Sequence, residues 1–461
     1  MKSVELLSPA GTLKNMQYAF AYGADAVYAG QPRYSLRVRN NDFNSLDNLQ
    51  KGIEEAHSLG KLFYVASNIA PHNAKLKTFL DDIKPVIEMK PDALIMSDPG
   101  LIMMVRENFP EMDVHLSVQA NAVNYAAVKF WQQMGLTRVI LSRELSLDEI
   151  KEIRQECPDM ELEVFVHGAL CIAYSGRCLL SGYMNHRDPN QGTCTNACRW
   201  QYDMTEAKED ETAGIVKAQP EVWTPEGKTA PQLGEGETED RIFLLEEQGR
   251  KGEQMPIFED EHGTYIMNSK DLRAVQHIEK LIEIGVDSLK IEGRTKSHYY
   301  AARTAQVYRR AIDDALEGKP FNMQLMDELD NLAHRGYTEG FYRRHVHDEY
   351  QNYINGSSVA RHQKFVGEIT HLLGDNWVQV EVKNKFSVGD SLELLTPEGN
   401  QRFILKGMIN CKDSQPLEVA AGSRYQVRIQ LPRKITTKHA LLMQDLPNES
   451  QDNAENKESA A

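Results

Sequence analysis

Asp287-Ser288-Leu289-Lys290-Ile291-Glu292-Gly293 is the stretch whose reading decides the fold. It is a strand candidate that ends in polar and small residues, and seven runs of the same kind precede it. These are VELLSPAG from Val4, AVYAG from Ala26, LFYVASN from Leu62, ALIMSD from Ala93, VHLSVQA from Val114, RVILSRE from Arg138 and LEVFVHG from Leu162. Each is rich in Val, Ile, Leu or aromatics, as a strand covered on both faces should be. Helical patterns lie between them, over Leu13 to Tyr22, Leu46 to Leu59, Leu76 to Met89, Ala126 to Met134 and Leu147 to Glu156, with Asp98 and Asp148 as starting residues. Seven strand–helix repeats leave a sheet open. The run at Asp287, preceded by a helix-like segment from Leu272 to Ile284 and followed by another from Tyr299 to Leu316, supplies the eighth. An α/β chain of this pattern is solved economically by a (β/α)₈ TIM-like barrel, which leaves no parallel edge. A doubly wound open sheet is the rival, because alternation alone does not show closure.

The rest of the chain arranges itself around that barrel. The barrel domain spans 1–350, with a Cys-rich segment and an acidic loop at 171–262 inserted after strand seven. Thr205 to Asp240 is acidic and rich in Gly, Pro and Thr, so a mobile loop or lid is expected there. Short alternating runs from KFVGEIT to RYQVRIQL, separated by turn signals, predict a small all-β barrel over 363–441. Residues 445–461 read as a disordered acidic tail.

The chain has 461 residues and a formal net charge of −15. The segments 205–262 and 445–461 account for −14 of it, so the remainder is nearly neutral and nucleic-acid partners are not excluded. No apolar run approaches the roughly 20 residues that span a bilayer, and the first residues lead straight into patterned sequence. A soluble cytoplasmic protein without a membrane partner is expected.

Four of the six cysteines, Cys171, Cys178, Cys194 and Cys198, fall within 28 residues. Disulfides are not expected in such a chain. Four thiolates in one loop suit zinc or an iron–sulfur cluster. The wide, uneven spacing favours a bulky four-iron–four-sulfur cluster; zinc and buried apolar thiols are the alternatives. Cys171 comes just after the seventh strand, so the ligands would stand at the barrel's catalytic face.

At these residues the sequence resembles the collagenase-like peptidase family of unknown catalytic type. The resemblance is carried by EVFVHGALCIAYSGRCLLS from Glu163, ELLSPAG from Glu5, GADAVYAG from Gly23 and KIEGRTKSHYY from Lys290. NHRDPNQGTCTNACRW from Asn185 is similar to the tRNA-modifying branch of that family. The resemblance implies a hydroxylase that converts the wobble uridine of certain tRNAs to 5-hydroxyuridine, with prephenate as co-substrate and without molecular oxygen. It also implies that the four cysteines hold a cluster, Cys198 least securely, and leaves a possible electron donor unnamed. A peptidase with a structural metal is the rival. The chain carries neither a His-Glu-x-x-His helix nor a Gly-x-Ser-x-Gly elbow. A hydroxylase of another RNA or of a small aromatic is a further alternative.

A dianionic acid such as prephenate needs guanidinium partners. Arg37 and Arg39 follow strand two, Arg143 follows strand six, Arg177 lies between two of the cysteines and Arg294 follows strand eight. His167 and Glu292 end barrel strands and are the acid/base candidates. For tRNA, the segment 290–311 carries a net charge of +5, which singles out Lys296, Arg303, Arg309 and Arg310. Arg335, Arg343 and Arg344 interleave with Tyr337, Phe341 and Tyr342, a pattern suited to unpaired loops.

Overall fold

The computed structural model describes residues 3–36, 42–170, 270–334, 336–343, 363–422, 425–436 and 439–446, with only short strand segments between 207 and 265. The cysteine cluster, Arg37, Arg39, Arg177, Arg335, Arg344, the acidic loop's side chains and the tail lie outside the described residues.

Eight parallel strands close on themselves. They are β1 (Glu5–Pro9), β2 (Ala26–Gly30), β3 (Leu62–Ser67), β4 (Ala93–Met96), β5 (Val114–Leu116), β6 (Arg138–Ile140), β7 (Glu161–Ala169) and β8 (Ser288–Ile291). β8 pairs in parallel with both β7 and β1, and that double pairing makes the sheet a barrel and excludes the open sheet. Helices α1 (Leu13–Ala21), α2 (Leu46–Ser58), α3 (Asn73–Glu88), α4 (Pro99–Asn108), α5 (Tyr125–Gln133), α6 (Leu147–Glu156), α7 (Ile278–Ile284) and α8 (His298–Leu316) run between and after the strands. Side chains of Thr12, Ser45, Asp98, Asn124, Ser146 and Ser297 accept a backbone N–H of the first turn and so fix where six of these helices begin. Ser146, with Glu149 completing a capping box, starts α6; Asp148 falls inside its first turn.

One expected helix is shorter than its pattern. Asp271–Arg273 forms a strand antiparallel to β7, and α7 begins only at Ile278. Leu272 is apolar because it is buried in that pairing, not because it continues a helical face.

The lower half of the barrel interior is charged. Arg138 of β6 donates to Glu5 Oε1 of β1 (2.7 Å), to Glu163 Oε2 of β7 (3.1 Å) and to Glu161 Oε2 (2.9 Å). Lys290 of β8 donates to Glu163 Oε1 at 2.6 Å, while Ser288 and Tyr64 hydroxyls donate to Glu5 at 2.7 and 2.6 Å. Glu5 and Glu163 thus face Arg138 and Lys290, and the network joins β1, β3, β6, β7 and β8. Burial pushes the Lys290 ammonium below its usual range, opposed by Glu163.

β7 carries a bulge. Its register with β8 slips between Lys290 and Ile291, so that His167 rather than Val166 faces Ile291. An extra residue turns the following side chain to the other face. His167 accordingly packs against Tyr300 and Tyr308 of α8 and against Tyr337. The Tyr308 hydroxyl donates to the Val166 carbonyl at 2.7 Å, so its oxygen receives the His167 Nδ1–H at 3.3 Å. Burial lowers the His167 pKa to about 3, which keeps the ring neutral.

The second unit is an eight-stranded antiparallel sheet with its own core of Val366, Ile369, Val380, Leu394 and Ile429. Its long strand Gln363–Gly374 lies between Trp377–Val382 and Leu441–Asp445. The sheet is bolted to the barrel through α8. Arg303, fully buried, donates to Glu393 Oε2 at 2.6 Å, and Gln306 donates to the Thr396 carbonyl at 2.9 Å. From α1, the Tyr22 hydroxyl reaches the carbonyls of Leu395 and His439 at 3.0 and 2.8 Å. Lys14 donates to Glu368 at 2.5 Å.

Two measurements check this architecture. Arg303→Met leaves Glu393 buried without its partner and should cost about 3–5 kcal/mol of stability in denaturant titration; a wild-type midpoint contradicts the junction. His167 takes up a proton near pH 6.5 when unfolded but only near 3 when folded. Stability should therefore fall as pH drops between those values. In His167→Gln the slope should be shallower by up to about 1.4 kcal/mol per pH unit, and an unchanged slope contradicts the neutral, buried ring.

Candidate active site

The C-terminal ends of the barrel strands surround a cavity of about 120 Å³. Its floor is Lys290, whose ammonium sits 4.3 Å from the Tyr28 ring centre and 5.5 Å from that of Phe165. Tyr28, in the middle of β2, donates its hydroxyl to the Ile291 carbonyl at 3.1 Å, so its ring is held in the wall. Alternation along β7 brings Phe165 inside above Glu163, and along β8 brings Glu292 above Lys290.

Arg143 stacks on Phe165, its guanidinium carbon 3.7 Å from the ring centre, and pairs with Glu292 across the mouth. Arg294 donates to Ser35 Oγ at 2.8 Å and stands 5.6 Å from the Tyr28 ring. Two glycines make this packing possible. A Cβ on Gly30 would lie 2.8 Å from Arg294 and 2.5 Å from Ser35 Oγ, and a Cβ on Gly168, at φ +109°, would lie 2.5 Å from the Glu292 carbonyl. Lys296 completes the cationic rim. Four cations and one carboxylate, Glu292, line the cavity among the described residues, so it is built for a negatively charged, oxygen-rich ligand.

The expected site residues divide accordingly. Arg143, Glu292, Arg294 and Lys296 converge on this cavity. His167 does not line it; the β7 bulge commits the ring to the tyrosines of α8, which corrects its reading as an acid/base group facing substrate. Arg303 is also corrected. Its charge serves the junction with the β unit and is fully buried, out of reach of a phosphate. The local excess of positive charge over 290–311 is therefore no single face: Lys290 lies inside the barrel, Arg309 pairs with Asp25 and Asp313, and Arg310 pairs with Glu328. Arg343 is exposed beside Glu339, at 2.8 Å. Tyr342 is a core residue whose hydroxyl donates to the Phe165 carbonyl.

Asn68 and Gln119, also in the lining, were not anticipated. Their signal was present: each sits just past a barrel strand, where polar residues read as functional. The four cysteines lie outside the described residues, but Leu170, the last described residue of that segment, follows directly on β7 beside cavity-lining Ala169. By its chemistry, a set of four thiolates is a donor set that an iron–sulfur cluster would take. No helix among the described residues is long and apolar enough to cross a membrane.

Residues 11–352 match Peptidase family U32, and residues 361–443 match the Peptidase family U32 C-terminal domain. The chain is 66% identical over 454 residues to the tRNA hydroxylation protein P of Escherichia coli K12, covering 98% of this chain and 99% of that one. It is 66% identical to the protein of the same name from Haemophilus influenzae, covering 96% of each. Similarity at 29% identity extends to the 23S rRNA 5-hydroxycytidine C2501 synthase of Escherichia coli, over 85% of this chain and 52% of that one. The two-domain match, spanning barrel and β unit alike, makes this chain a member of peptidase family U32.

Proposed function

We propose that this chain is a tRNA hydroxylase that installs oxygen at C5 of the wobble uridine, with prephenate as co-substrate and a four-iron–four-sulfur cluster held by Cys171, Cys178, Cys194 and Cys198. The observation that carries the reading is the cationic, aromatic-walled cavity at the closed barrel's C-terminal face. It is supported by the near full-length similarity to proteins named for tRNA hydroxylation.

In this reading Arg143 and Arg294 take the two carboxylates of the dianion. Glu292 yields Arg143 to the incoming carboxylate and is then placed to accept a proton at the reacting centre. Phe165 and Tyr28 offer faces for a splayed-out base, which an unpaired anticodon loop provides at low cost. The cluster, when bound, supplies one-electron transfer and an iron Lewis acid. Lys296 at the rim and exposed Arg343 carry phosphate contacts, while Arg309 and Arg310 of α8 are engaged in ion pairs with Asp25 and Glu328.

The reading is tested by nucleoside mass spectrometry of tRNA from a deletion strain. The wild-type gene should restore 5-hydroxyuridine, Cys171→Ala should not, and Arg143→Gln should lower it about tenfold or more. Anaerobically purified protein should be brown and contain iron and sulfide, which Cys171→Ala loses. Peptide cleavage without any tRNA product would establish the peptidase rival instead. Arg343→Glu should weaken tRNA binding and flatten its dependence on salt; a salt-insensitive interaction contradicts that contact.

A further inference from the structure

Two carboxamides stand in the cavity wall, on loops that follow β3 and β5. Asn68 Oδ1 accepts the backbone N–H of Leu36 at 3.3 Å, and Gln119 Oε1 accepts the hydroxyl of Ser117 at 3.1 Å. All four residues line the cavity. Each amide oxygen already accepts one protein hydrogen bond, whereas neither NH₂ is used among the described residues, so the NH₂ is the readier group each side chain has to offer. No acceptor among the described residues takes either NH₂ group. With the cations at the rim and Glu292 paired to Arg143, donors predominate in the polar wall, the Ser117 and Thr295 hydroxyls being able to act either way.

We infer that Asn68 and Gln119 are specificity-determining residues that read a base through its carbonyl oxygens and so select uracil over cytosine. Uracil presents acceptors at O2 and O4. Cytosine keeps O2 but replaces O4 with an amino group, which would meet the NH₂ that reads position 4 donor to donor and leave both groups unpaired in a desolvated site. Swinging the Asn68 oxygen round to accept that amine would leave the Leu36 N–H facing an NH₂. The Leu36 N–H therefore orients the Asn68 amide as a donor.

This inference rests on the cavity being the RNA base site, and its test separates the two. Full-length protein is titrated with three otherwise identical stem–loop RNAs carrying uridine, cytidine or 4-thiouridine at the target position. The uridine loop should bind about tenfold or more tighter than the cytidine loop, and the 4-thiouridine loop, a weak acceptor at position 4, should also bind more weakly. Asn68→Asp and Gln119→Glu, near-isosteric changes that replace NH₂ by an acceptor, should shrink or invert the uridine-to-cytidine ratio. A purely structural role would lower affinity for all three loops together and keep the ratio, which overturns the inference. Equal binding of the uridine and 4-thiouridine loops by the unaltered protein also overturns it. Cellular 5-hydroxyuridine reports on the function independently: its presence alongside an unchanged ratio sinks the base-reading role alone.

Discussion

A barrel filled by ion pairs in place of apolar layers is the constraint on which the rest of this molecule depends. Interiors of such barrels are commonly packed with branched aliphatics. Here Glu5, Arg138, Glu163 and Lys290 occupy the lower half, with Ser288 and Tyr64 satisfying the remaining oxygens. Removing these charges from water is costly, and only mutual pairing with complete hydrogen bonding offsets it. The network accordingly demands that β1, β6, β7 and β8 hold one register, because a slip of one residue would turn Glu163 or Lys290 out of the barrel. Lys290, the top of that network, is at once the cavity floor. The chemistry at the mouth thus inherits its geometry from electrostatics beneath it.

Much of the architecture was legible because strand and helix periods differ and the eight runs keep to theirs. Closure was not, since no local pattern says that Ser288–Ile291 bridges β7 and β1. The segment Leu272–Ile284 misled for a definite reason: three residues of a short strand carried an apolar position in phase with the helix that follows. Helix starts were legible where a single side chain caps, as at Asp98, and shifted where Ser146 outcompeted nearby Asp148.

The site was partly legible. Arg143, Glu292 and Arg294 could be placed because residues just past barrel strands face the mouth whatever the details. His167 obeyed the same rule on paper, and one bulge, invisible in composition, moved it to the other side of the sheet. Arg303 shows the limit of counting charge along a helix. A cation facing a second domain cannot be told from one facing solvent until Glu393, 90 residues away, is seen to pair with it. Asn68 and Gln119 went unnoticed because an amide announces no chemistry until its oxygen is found tethered.

The central claim is that the target pyrimidine enters the barrel mouth. Photocrosslinking tests it most directly, with a tRNA stem–loop carrying 5-bromouridine at the target position and adducts mapped by peptide mass spectrometry. The account predicts adducts on peptides from the ends of β7 and β8, around Phe165 and Arg294. Adducts confined to the C-terminal β sheet or to the outer helices would contradict it.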